Sequence, residues 1–463
     1  MFLNTTKEWL PHPYQERSVK LMVRQSASGL LLDPGLGKTS CVLSALKILI
    51  SKGYVERALI IAPLRPMYHV WTEEISKWSN FNELKCEILH GKNKDDIAQN
   101  PGDADILLIN PHGLPWLFKK YGKNAPKKLG VQMLVVDEST MFKHSRTARF
   151  KILKQMLPQF ERRYILTGTM TPNGLMDLFG QIYILDSGNA LGRYITHYRN
   201  GYFIQPNPMH EPYRWEAKQG AMEEISEKIS PLTLRLKAED YLEMPSQQFI
   251  NLEVELPDKA KETYKQVEDE FLSAIEDTFV VAENSAVAGT KCRQIANGAV
   301  YTIDKEYRVV HDAKIDMLEE LVEELSGDPL LVMYEYKHDM ERILAKYPDT
   351  PCLGSGTSAS KSTVAIKRFN AGELPILLGH PASMGHGLNL QGSCNKICWF
   401  GITWNFEYYD QAIARIYRQG QASSTVFVYH IVAKNTLDKK VLNVLKDKER
   451  TQEKLLQSLR API

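Results

Sequence analysis

Along the chain, short apolar runs that end in a loop alternate with stretches in which apolar residues recur every three to four positions. Gly29 to Asp33, Ala58 to Pro63, Asp105 to Asn110, Met133 to Glu138 and Tyr164 to Thr169 are such runs. Near-continuous hydrophobicity over four to six residues predicts strands buried on both faces of a parallel sheet, with crossover helices between them. The same grammar restarts with Leu330 to Tyr336, Ile376 to His380, Lys396 to Gly401 and Thr425 to Val432. Two similar α/β lobes are the simplest arrangement. Between them, Pro231 to Phe249 is polar and carries two prolines, and a charged helical pattern begins at Pro257. The expected division is a first lobe over 1–230, a linker over 231–248 and a second lobe over 249–463. Thr436 to Leu459 reads as a lysine-rich amphipathic helix that packs back on a lobe or extends a binding surface. No short-period repeat is present, which excludes solenoids and propellers.

Composition narrows the function classes. A chain of 463 residues with 43% hydrophobic content builds two to three domains with substantial cores. Lys plus Arg exceeds Asp plus Glu by 57 − 55 = +2, so any nucleic-acid surface must come from local charge placement rather than a polycationic coat. The six cysteines form no CxxC pair and lack zinc-finger spacing, so they are expected to be reduced and mostly buried. No cationic leader precedes an apolar stretch at the N-terminus, and no window approaches the ~20 apolar residues of a membrane span. A soluble, cytoplasmic protein is expected.

The strongest chemical signal is Leu30-Leu31-Leu32-Asp33-Pro34-Gly35-Leu36-Gly37-Lys38-Thr39, a strand running into a glycine-rich loop and then a helix. Glycines let backbone amides turn onto phosphate oxygens, the helix start adds positive potential, Lys38 reaches terminal phosphates and the Thr39 hydroxyl can ligate magnesium. Leu32 stands where the full pattern has a further glycine. A second strand, Met133 to Val136, ends in Asp137-Glu138. Two adjacent carboxylates at a buried strand end are costly without a task; one can hold magnesium while the other orients water. In isolation such a pair reads first as a solvated strand end; following the phosphate loop at this distance, it does not. Gln411, Arg415 and Arg418 stand at offsets of four and three, which on one helix places all three on one face, suited to a polyanion or to solvent. The basic run Lys143, His144, Arg146, Arg149, Lys151 and Lys154 suits phosphate contact or a solvated helix face.

Taken in order, these segments resemble the helicase-like core of superfamily 2, and within it the Swi/Snf-type DNA translocases. Pro13-Tyr14-Gln15 resembles the adenine-contacting Q motif, and Asp33 to Thr39 is similar to the family's phosphate loop. Ile61-Ala62-Pro63-Leu64, with Trp71 and Trp78 following, resembles motif Ia. Asp137-Glu138-Ser139-Thr140 stands at the Asp-Glu box, and Leu166-Thr167-Gly168-Thr169 resembles the motif coupling hydrolysis to lobe movement. Gly385-His386-Gly387-Leu388-Asn389-Leu390 is similar to motif V, Trp404-Asn405 to the segment after it, and Gln411 to Gln421 to motif VI, whose Arg418-Gln419-Gly420-Gln421 ending is the most family-specific piece. The chain departs from the pattern at Ser139-Thr140, where Ala-His or Gly-His is usual, at Met170 in place of proline, and at Ala414 in place of glycine.

The resemblance implies two tandem RecA-like lobes, each a mostly parallel sheet flanked by helices, with ATP and magnesium in the cleft between them. It places Tyr14, Gln15, Pro34, Gly35, Leu36, Gly37, Lys38, Thr39, Ser40 and Gln411 on the nucleotide. Thr39 and Asp137 fall on magnesium, Glu138 on the attacking water, and Arg415 and Arg418 on the phosphates from lobe two. Arg65, Lys143, Ser383, Asn389 and Trp404 are the implied nucleic-acid contacts. The expectation is a minimal stand-alone motor of viral or prokaryotic type, a DNA-dependent ATPase that translocates on duplex or branched DNA, with a replication or recombination protein as a further partner. Two other readings stay open on the residues alone: a helicase that separates DNA or RNA strands, and an ATP-binding scaffold without productive turnover.

Overall fold

The computed structural model describes residues 7–207, 215–276, 281–302, 304–354, 357–384 and 388–459. Two compact units divide the chain, residues 1–242 together with 450–463, and residues 243–449.

The first unit is built on seven strands: β1 (Ala27–Leu32), β2 (Ala58–Ile61), β3 (Cys86–Ile88), β4 (Ile106–Ile109), β5 (Met133–Asp137), β6 (Arg162–Thr167) and, after a small antiparallel pair of β7 (Phe203–Ile204) and β8 (Glu216–Ala217), β9 (Thr233–Leu236). Their order is β3-β4-β2-β5-β6-β1-β9, and every pairing is parallel. Helices on both faces shield the central strands, so β2, β4 and β5 are buried at every position.

The second unit carries β10 (Ser246–Val254), a short antiparallel pair of β11 (Ala299–Tyr301) and β12 (Tyr307–Val309), and then β13 (Leu330–Met333), β14 (Cys352–Leu353), β15 (Ile376–Gly379), β16 (Lys396–Trp399) and β17 (Thr425–Ala433). The main sheet runs β10-β17-β16-β13-β15-β14, again wholly parallel. Alternate residues of β13 feed opposite cores: Leu331 and Met333 pack on one face, Leu330 and Val332 on the other. The expected α/β class with two parallel-sheet lobes is therefore the observed one.

The expected linker is structured instead. Within 231–248, β9 pairs with β1 in register Gly29↔Thr233, and β10 begins at Ser246 on the second sheet. Thr233-Leu234-Arg235-Leu236 lies within the stretch read as polar, yet the one charge in it, Arg235, is buried and ion-paired to Asp33 at 2.6 Å. A buried arginine with a carboxylate and carbonyl partners no longer argues against a strand. The C-terminal helix Leu437–Ser458 also departs from the expected boundary. Its last residues belong to the first unit, where Leu455, Leu456 and Leu459 join the hydrophobic core and Ser458 Oγ lies 2.6 Å from Ser226 Oγ. Among the described residues no helix is long and apolar enough to cross a membrane.

Candidate functional site

In a parallel sheet, loops leaving the carboxyl ends of neighbouring strands converge, and ligands bind there. Here β6 lies between β1 and β5, so the phosphate loop, the Thr167-Gly168-Thr169 turn and Asp137-Glu138 share one edge. After Leu32 the chain turns with Gly35 at φ 93° and Gly37 at φ 77°, the left-handed region that only glycine adopts without strain. Helix α2 (Lys38–Ser51) then starts, after helix α1 (Pro13–Arg24) earlier in the chain. Gln15 is stapled to the loop: its Nε2 donates to Leu36 O at 3.2 Å, and its Oε1 accepts from His12 N. A Cβ on Gly37 would stand 2.5 Å from Gln15 Nε2. The Tyr14 ring lies 4.8 Å from that of Tyr241 and stacks on His12 at 5.4 Å.

Lys38 Nζ donates to Leu32 O at 2.7 Å. Burial lowers its pKa, against the opposing pull of Glu138, Asp137 and Asp33, so the ammonium sits within the field of both strand-end carboxylates. Pro34 and Leu32 O approach the Thr167-Gly168-Thr169 turn, since a Cβ on Gly168 would meet them at 3.4 and 3.5 Å. That turn closes on itself, Thr167 Oγ1 donating to Thr169 O and accepting from Thr169 N.

Asp137 closes β5 almost fully buried and accepts from the indole Nε1 of Trp71 at 3.0 Å. Glu138 follows at φ 54°, ψ 64°, a left-handed conformation in a non-glycine residue; such strain costs about 1–3 kcal/mol and gathers at functional sites. Ser139 Oγ donates to Gln181 Oε1 at 2.7 Å, and Gln181 Nε2 donates to Met170 O at 2.7 Å. Two of the departures from the family pattern, Ser139 and Met170, are thus linked through one buried glutamine. The Asp137 carboxylate and the Thr39 hydroxyl are hard oxygen donors, the kind that hold a small divalent cation whose other ligands are phosphate and water oxygens. Among the described residues no group of three His, Cys, Asp or Glu side chains could hold a metal alone.

Helix α3 (Leu64–Lys77) begins directly after Ala62-Pro63. Arg65 is half-buried in its first turn, with its pKa lowered by burial. Lys143 ends the turn after Glu138, half-buried; Arg146 and Lys151 are exposed, whereas Lys154 lies over the Tyr183 ring at 4.5 Å. The basic run is divided between solvent and packing.

In the second unit the expected shared face of Gln411, Arg415 and Arg418 does not form. The helix Phe406–Ile413 stops before either arginine. A continuing helix would give Gln411 O to the amide of Arg415; instead Arg415 Nε takes that carbonyl at 2.8 Å, and Arg415 N turns to Ala412 O. Arg415 is 7% exposed and also reaches Leu388 O. Arg418 is half-buried and bonds the side chain of exposed Asn389 through Nη1. Ser383 ends a short turn after β15, and half-buried Trp404 follows β16. Gly385, His386 and Gly387 of the motif V segment lie outside the described residues. Arg293 props the Trp404 loop: its Nη2 donates to Ile402 O at 2.7 Å and Glu335 Oε1 at 3.1 Å, and its guanidinium lies 5.7 Å from the Trp404 ring. Tyr241, Arg235, Gln181, Arg293 and Glu335 were not among the residues singled out from sequence. Arg235 alone carried a legible signal, a lone charge inside an apolar run.

Residues 14–306 match the SNF2-related domain family, and residues 313–420 match the helicase conserved C-terminal domain family. The chain is 35% identical to the putative protein p41 of Acyrthosiphon pisum secondary endosymbiont phage 1, over 98% of this chain and 99% of that protein. It is 24% identical to the protein CHROMATIN REMODELING 25 of Arabidopsis thaliana, covering 95% of this chain but about half, 55%, of the plant protein. Among solved structures it is similar to the Sulfolobus solfataricus SWI2/SNF2 ATPase core in complex with dsDNA, with a TM-score of 0.46 and 23% identity, covering 98% of this chain and 94% of that one.

Proposed function

The chain belongs to the SNF2-related family of helicase-like, DNA-dependent ATPases, and from that premise we propose that it spends ATP on translocation along duplex DNA. The observation that carries the reading is the convergence of the phosphate loop, Asp137-Glu138 and the Thr167–Thr169 turn on one carboxyl edge of the first sheet. In this reading the Gly35 to Ser40 loop and the first turn of α2 cradle the phosphates, with Lys38 released from Leu32 O to reach them. Tyr14 and Gln15 face adenine. Thr39 and Asp137 hold magnesium, which when bound neutralises phosphate charge. Glu138, presented by its left-handed backbone, orients the attacking water.

Of the two motif VI arginines, Arg418 is the better phosphate ligand, because the Arg415 guanidinium is already committed to Gln411 O and Leu388 O. Arg65 and Lys143 in the first unit and Ser383, Asn389 and Trp404 in the second are the proposed backbone contacts. Backbone binding gives little sequence preference and a steep dependence on salt.

Steady-state ATP hydrolysis at fixed salt, with no nucleic acid, single-stranded DNA, duplex DNA, forked DNA or RNA, tests the proposal alongside Glu138→Gln. Stimulation by duplex or forked DNA that the variant loses is the expected result. Stimulation by single strands or RNA alone would replace translocation with strand separation, and no stimulation would leave an ATP-binding scaffold.

A further inference from the structure

We propose that Trp71 is a positioning residue for the metal-binding carboxylate Asp137, and that α3 clamps both halves of the nucleotide site from outside it. The inference rests on the reading of Asp137 as a metal ligand. Trp71 is fully buried, and a buried indole N–H needs an acceptor. The acceptor it finds is Asp137 Oδ2, at 3.0 Å. A hydrogen bond to a charged carboxylate fixes its rotation and favours its ionised form, both of which a metal ligand requires.

The same helix makes a second attachment one turn later. Glu74 Oε1 accepts from Ser40 Oγ, two residues beyond Lys38, and from Trp78 Nε1 at 2.7 Å. So α3 holds the end of β5 through Trp71 and the first turn of α2 through Glu74. Its first turn carries Arg65, six residues before Trp71 and therefore about 9 Å along the axis. A rigid helix with a nucleic-acid candidate at one end and the Asp137 support near its middle is suited to pass strain from one to the other, whereas a tryptophan serving only as core would leave the carboxylate indifferent to its N–H.

The test measures Mn2+ binding by electron paramagnetic resonance, with Mn2+ standing for magnesium and a non-hydrolysable ATP analogue present, on the full chain and on Trp71→Phe. Nucleotide binding without metal is measured beside it. The expected result is Mn2+ affinity weaker by roughly 10- to 100-fold, the usual consequence of removing a residue that orients a metal ligand, with metal-free nucleotide affinity held within about twofold of wild type. Should Trp71→Phe fail to fold, 3-benzothienylalanine at position 71 keeps the shape and removes only the N–H. Unchanged Mn2+ affinity, or equal losses with and without metal, would overturn the proposal. The wild-type hydrolysis assay separates the two readings: absence of DNA stimulation sinks translocation, and the Mn2+ titration still decides the role of Trp71.

Discussion

Arg415 and Arg418 stand three residues apart in one motif, and the backbone between them separates their roles. Arg415 satisfies the Gln411 carbonyl of a helix that ends early and the Leu388 carbonyl of the motif V segment, whereas Arg418 is half-buried beside exposed Asn389. Arg415→Ala strands two buried acceptors, Gln411 O and Leu388 O, and is expected to destabilise by about 2–4 kcal/mol. Thermal unfolding of the variant reads that loss. Arg418→Ala is expected to keep the melting temperature within about 2 °C of wild type while lowering DNA-stimulated turnover by roughly a thousandfold, as removal of a phosphate-stabilising arginine does. Lys38, Asp137 and Glu138 were expected together because each follows closely on an apolar strand run, and the structure brings them to one edge of the first sheet. The side on which each arginine faces was not legible, because an offset of three or four fixes a face only while the helix continues.

At the level of elements, packing distance governs what a position tolerates. Gly180 sits inside the helix Leu178–Asp186, where a glycine normally weakens the helix. An added Cβ would lie 2.1 Å from Phe142 O, in the turn that follows Glu138. Gly180→Ala should therefore destabilise by about 1–3 kcal/mol through overpacking, rather than stabilise as Gly→Ala does in an open helix. Urea unfolding gives the sign directly, and a gain in stability would refute the close approach. The central strands of both sheets were legible as apolar runs because they are buried on both faces, whereas the edge strands β3 and β14, three and two residues long and partly exposed, form no such run. Strand β9 escaped because its ion-paired Arg235 breaks the run, and β10 because an edge strand shows exposed positions along most of its length.

For the molecule as a whole, two buried histidines of the second unit couple its stability to mild acid. His311 and His430 are buried, and burial lowers their pKa values to about 4 and about 3. The unfolded imidazoles take up protons near pH 6.5, well above the folded ones. The unfolded chain thus binds more protons as pH falls, so this contribution to stability is complete above about pH 6.5 and is lost on the way down to about pH 4 for His311 and about pH 3 for His430. Each histidine can contribute a slope of up to about 1.4 kcal/mol per pH unit in that window. Chemical unfolding at pH 7, 6 and 5 should show the decline, and His311→Gln, whose amide can still donate to Ile295 O, should flatten it by about one proton. The sequence by itself determined the fold class, the phosphate loop and the strand-end carboxylates, because periodicity and short motifs are local properties of the chain. Only the tertiary structure decided that Trp71 meets Asp137, that Gln181 joins Ser139 to Met170, that Arg235 buries against Asp33 and that residues 450–459 complete the first unit's core. Each of these joins residues well separated along the chain, and such partners are chosen by strand order and burial, which no local pattern encodes.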